Sequence, residues 1–105
     1  MLDESLFVSD IVHSRDVEIN KDKVIRLHFK EIPAIEFIKF QRALNSEDED
    51  TRAGAIAVLI AASLCEADGT PAMTVDKAMR LKTKPMDAIF KIVMEINGGD
   101  NSGKA

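Results

Sequence analysis

The chain has one cysteine, two histidines, five glycines and no excess of basic residues, and each scarcity removes a class of function. A lone Cys65 cannot form an internal disulfide, so no disulfide framework holds this protein together. It lies in an apolar, helix-like stretch without a base or cation to lower its pKa, which reads as a buried structural thiol and suits a reducing cytosol. His13 and His28 have no Cys or His partner at metal-ligand spacing, and read as exposed or partner-satisfied strand residues. Ser14 and Ser63 lack the G-x-S-x-G context of a nucleophile elbow, and Gly54 stands alone inside a helical pattern, so no phosphate cradle is present. "CEADGT" fails as a calcium loop, because Leu64 and Val75 occupy the positions where its first and last carboxylates belong. The expectation is a noncatalytic protein with no metal and no cofactor.

Charge excludes further classes. Fourteen Lys and Arg against eighteen Asp and Glu give a net charge of −4, opposite to a nucleic-acid footprint. The short basic run Lys21, Lys23, Arg26 and Lys30 is diluted by Asp16, Glu18, Asp22 and Glu31, which predicts a solvated strand face. The opening MLDESLFVSD is acidic and has no basic n-region or long apolar h-region, so export is not expected. Ala53 to Cys65 is free of charge, but a bilayer span needs about 20 apolar residues, and a stretch this short reads as a buried core helix.

What is present is an ordinary globular composition, 46% hydrophobic and 30% charged in 105 residues. It predicts one α+β, mainly α domain over residues 1–98 and a flexible polar tail at 99–105. A domain this small is modestly stable, which favours self-association. The strands are expected within about 6–31. Val17 and Ile19, then Ile25, Leu27 and Phe29, alternate with polar residues around the turn at Asn20 and Asp22, forming an N-terminal hairpin; Leu6 to Val12 could add a third, weaker strand. A compact bundle of about four helices follows. Pro33 opens the first, at 33–44, with Ile35, Phe37, Ile38 and Leu44 on or near one face. Ser46 and Glu49 form a capping box for the second, at 46–67, and Glu47, Asp48 and Asp50 suit the positive end of its dipole. Asp68-Gly69 ends it. Thr74 caps a third helix at 74–82, and Pro85 starts the fourth at 85–97, which Asn97-Gly98-Gly99 stops.

The succession "IRLHFKEIPAIEFIKFQRAL", "CEADGTPAMT" and "VDKAMRLKTKPMDAIFKIVMEING" resembles the tail assembly chaperones of long-tailed, siphovirus-type bacteriophages over roughly residues 17–98. The most telling part is the last: a short helix with a Leu-Lys pair, a proline, and a helix closing on Glu95, Ile96, Asn97 and Gly98. The resemblance implies a protein of the host bacterial cytoplasm that binds and solubilises the tape measure protein, helps recruit tail tube subunits, and is absent from the finished virion. It also implies that a ribosomal frameshift can produce a longer form, with which Gly103-Lys104 is compatible. A structural tail or connector completion protein and a small regulatory adaptor remain alternatives.

Four of the five methionines fall in the last third of the chain. Methionine repacks readily against different partners, and a groove between helices can accept an amphipathic helix. The candidate partner surface is therefore Met73, Met79, Leu81, Met86, Ile89, Phe90, Val93 and Met94. A Met and aromatic stripe at helical spacing equally suits a core, with Ile89, Phe90 and Val93 turned inward.

Overall fold

A computed structural model describes residues 2–98. Two strands, β1 (Val12–Asn20) and β2 (Lys23–Lys30), form an antiparallel hairpin in which Val17 faces Ile25, Arg15 faces Leu27 and His13 faces Phe29. Period two places these residues on one side of the sheet, where Val17 and Phe29 are buried. The third strand is not at Leu6 to Val12. There the chain makes a 3-10 turn, Glu4–Leu6, capped by Asp3. The strand that completes the sheet is β3 (Leu64–Cys65), paired with Phe29 and His28 to give the order β1-β2-β3.

Helix α1 (Ala34–Leu44) starts directly after Pro33, whose fixed φ of −66° suits the cap. Helix α2 is shorter than its sequence pattern, Glu49–Ser63 rather than 46–67. Asp48, not Ser46, is its cap: the carboxylate accepts from the Thr51 N–H at 3.0 Å and the Thr51 hydroxyl at 2.6 Å, while Ser46 Oγ accepts from the Asp48 N–H in the preceding turn. At the other end Leu64 and Cys65 leave the helix because β2 offers their backbone a ladder. Cys65 is thus a strand residue, 3% exposed. The chain then turns at Asp68-Gly69, with Gly69 at φ +91°, and returns so that Pro71 bridges Cys65. Helix α3 (Val75–Ala78) is a single turn, well short of 74–82, though Thr74 does cap it. Helix α4 (Thr83–Ile96) begins two residues before Pro85, which sits within the first turn, where a missing N–H costs no helical bond. Lys84 is helical despite preceding proline, a preference that tertiary packing overrides here.

α2 touches α1, α3 and α4, while α4 also lies against β1 and β2. Ala55 and Ala57 are 0% and 1% exposed, so their small side chains let α2 sit close to its neighbours. The core joins Phe29, Val17, Leu59, Ile60, Ile89 and Val93. Burying each of the larger side chains contributes about 1.5–3 kcal/mol. Two polar side chains fix the layers. Ser63, fully buried, donates to the Lys30 carbonyl at 2.8 Å, tying α2 to β2. Asn97 Oδ1 accepts from the Ile32 N–H at 2.8 Å, while its Nδ2 donates to the Val93 carbonyl at 2.7 Å, which pins the end of α4 to the β2–α1 junction. Asn97 and Gly98, the latter at φ +91°, end α4 as the sequence implied. Gly99, the expected tail at 99–105 and the Gly103-Lys104 pair lie outside the described residues.

Candidate functional site

The hairpin is longer than the helical surface laid against it. Toward its tip Ile19, Ile25 and Leu27 share the face of buried Val17 but are only half-buried. Across from them runs the segment joining α3 to α4. Between the two lies an apolar groove of about 300 Å³. Val17, Ile19, Ile25 and Leu27 form one wall; Met73, Leu81, Pro85 and Ile89 form the other, with Leu64 also contributing. Arg80 and Lys82, both exposed, are the charged residues among its lining. The groove thus offers aliphatic and thioether surface edged by cations, with no carboxylate lining it. That combination suits an apolar segment carrying acidic residues.

The eight residues of the sequence-based partner surface do not share one fate. Met73, Leu81 and Ile89 meet in the groove. Met79 is 50% exposed and lies over α2, where its Sδ would stand 3.3 Å from a Cβ placed on Gly54, so the missing side chain there is what admits it. Phe90 packs against Phe40 of α1 at a ring separation of 5.8 Å and a tilt of 47°. Met86 and Met94 are half-buried against the core, and Ile89 and Val93 are 2% and 0% exposed. Ile89 therefore reaches the groove only as its floor, and Val93 lies in the core and offers no contact area of its own. The hairpin residues Ile19, Ile25 and Leu27, outside the sequence-based surface, also line the groove. Their alternation marked an apolar face, but only the short reach of α4 along the strands leaves it uncovered.

A second hollow, of about 460 Å³, lies between residues 8–12 and the β2–α1 junction. Lys30, Glu31, Glu36 and Asp68 line it, so it is charged in both signs and unsuited to an apolar helix. Lys30 Nζ donates to the Gly69 carbonyl at 3.3 Å and holds the 66–71 turn against the sheet. In that turn the N–H and hydroxyl of Thr70 both donate to Asp68, holding its carboxyl below the usual range. Burial pushes the Cys65 thiol above its ordinary pKa, partly opposed by the Lys30 ammonium. That disfavours the reactive thiolate. His28 Nδ1 shares a 2.9 Å hydrogen bond with Ser14 Oγ, whereas His13 Nε2 is buried without a partner among the described residues. No group of three or more His, Cys, Asp or Glu among the described residues could hold a metal ion, and no described helix is long and apolar enough to cross a membrane.

No protein-family model matches the sequence, and no curated protein does either. A solved structure, that of the bacteriophage HK97 tail assembly chaperone, matches with a TM-score of 0.57 over 81% of this chain and 85% of that chain. The two share a fold. Their sequences are 16% identical, so the likeness lies in the arrangement of hairpin and helices and not in a retained set of side chains.

Proposed function

We propose that this protein is a noncatalytic tail assembly chaperone of a long-tailed bacteriophage, acting in the host cytoplasm. It covers apolar helical stripes of the tape measure protein until tail tube subunits enclose them, and it helps to recruit those subunits. The observation that carries this reading is the cation-edged apolar groove on a fold shared with the HK97 tail assembly chaperone. A groove of this kind takes a helix through anchors at i, i+3, i+4 and i+7. Met73 and Leu81 supply an adaptable wall. A client stripe left in water would aggregate; seated here it would be shielded without any bond being made or broken.

Co-expression with the tape measure protein of the same phage tests the proposal. The client is expected to move into the soluble fraction and to copurify, and Leu81→Glu is expected to abolish both while leaving the chaperone's circular dichroism unchanged. A client that stays insoluble with the unmodified chain refutes the reading. Mass spectrometry of finished particles separates it from a structural tail or connector role, since a chaperone is absent from them.

A further inference from the structure

We propose that the open edge of β1 is a strand-addition site for an extended segment of a protein partner, one in which apolar residues alternate with lysine or arginine. β1 is the outer strand of the sheet, and among the described residues β2 is its only paired neighbour. Two side-chain bonds identify the backbone groups left over. Ser63 Oγ donates to the Lys30 carbonyl at 2.8 Å from the α2 side, so Lys30 turns its backbone away from β1. Antiparallel partners share this orientation and it alternates along both strands, so Val12, opposite Lys30, and then Ser14 and Asp16 direct their N–H and C=O outward. Arg15 Nη1 agrees: it donates to the Ser14 carbonyl at 2.9 Å, which a guanidinium could not reach between paired strands. No other described bond from outside the hairpin reaches these groups. A row of this kind is a template for another extended chain.

α4 supplies a floor beside that edge. Lys84 and Glu95 reach β1, at Glu18 over 4.0 Å and at Arg15 over 3.8 Å, so the helix stripe they share runs along the strand. Ala88 and Ile92 lie between them on that stripe, half-buried, and line an open trough of about 680 Å³ with Lys84, Asp87 and Lys91. A strand added to β1 would lay its inward side chains over Ala88 and Ile92, and its outward ones beside Ser14, Asp16 and Glu18. Charge selects the occupant. The outward row of β1 carries carboxylates and no cation. Asp16 meets Arg26 at 3.2 Å and Glu18 meets Lys84, but both pairs are exposed, and such pairs are weak enough to exchange. Opposite charges across neighbouring strands stabilise and like charges oppose. A second β1 would bring no outward cation, and the chain's own arm, residues 2–11, carries Asp3, Glu4 and Asp10 with no Lys or Arg. The bulge between Glu18 and Asn20 ends the usable edge.

The edge takes an extended chain where the groove takes a helix, and the co-expression assay above reads the groove alone, so the two proposals fail separately. The full chain, labelled with nitrogen-15, is titrated with a peptide as long as β1 in which valine and lysine alternate, and amide shifts and hydrogen exchange are followed. At saturation the Ser14 and Asp16 amides are expected to exchange on the order of tenfold more slowly, while Arg15 and Val17, already turned toward β2, change little. A valine–glutamate peptide, and the valine and lysine residues regrouped into two blocks, should each bind on the order of tenfold more weakly. Asp16→Lys with Glu18→Lys should reverse the preference between the two alternating peptides, and the milder Asp16→Asn with Glu18→Gln should reduce it, both with circular dichroism unchanged. Absence of binding overturns the inference. So do shifts confined to the groove residues Ile25, Leu27 and Met73, equal binding of the glutamate peptide, or a preference indifferent to the Asp16 and Glu18 variants. Ser14 and Asp16 amides as slow as that of Arg15 before any peptide is added would overturn it too, since another segment would then already hold the edge.

Discussion

Replacing Asn97 with alanine tests how the end of α4 is secured. The amide makes two bonds in opposite directions, accepting from the Ile32 N–H at 2.8 Å and donating to the Val93 carbonyl at 2.7 Å. The Val93 carbonyl keeps a second donor, the Asn97 N–H at 3.2 Å, so losing the side-chain bond there costs little. The Ile32 N–H has no such substitute, and Ile32 is 5% exposed. A buried donor left unsatisfied costs about 1–3 kcal/mol, so Asn97→Ala should destabilise by about 2 kcal/mol. For a domain of this size that is a fall in Tm of roughly 10 °C. Urea unfolding with matched m-values measures the energy, and amide exchange locates it: Ile32 should lose protection well before Phe29. Asn97→Asp keeps an acceptor for Ile32 but adds charge at the negative end of the α4 dipole, so it should recover only part of the loss near neutral pH. A change within about 0.5 kcal/mol for Asn97→Ala, the usual range for surface substitutions, would refute the account.

Asp48→Ala should cost about 1 kcal/mol and Ser46→Ala clearly less, because the Asp48 carboxylate caps α2; urea midpoints that rank the other way would restore the capping box. Ser63→Ala removes the donor to the Lys30 carbonyl and should lower stability by about 1 kcal/mol in the same assay. The Cys65 thiol has a folded pKa above its ordinary value of 9.0, so its neutral form favours folding: that contribution is whole below pH 9.0 and declines as pH rises through the folded value. Thermal melts across that alkaline range should show the decline in the unmodified chain and a shallower one in Cys65→Ala.

The hairpin and the existence of four helices were legible in the sequence because each rests on local rules. Period two fixes which strand residues share a face, and Pro33, Thr74, Pro85 and the Asn97-Gly98 pair punctuate the helices. The boundaries of α2 were not legible. Ser46 and Asp48 are both competent caps, and the choice depends on which carboxylate or hydroxyl reaches the Thr51 N–H once the preceding turn is folded. Leu64 and Cys65 look helical from their neighbours and become a strand only because β2 lies alongside with unpaired backbone groups.

The same division runs through the site. Composition alone set the protein's chemical character: a single cysteine, two histidines, a net negative charge, and a methionine-rich final third. Which of those apolar residues could meet a partner was decided by tertiary structure. Val93 and Leu81 are indistinguishable in a helical pattern, yet one is sealed on the inner face of α4 and the other lines the groove. The physical reason is reach: periodicity reports which way a side chain faces, and only the packed lengths of hairpin and helix determine where that facing surface is left uncovered.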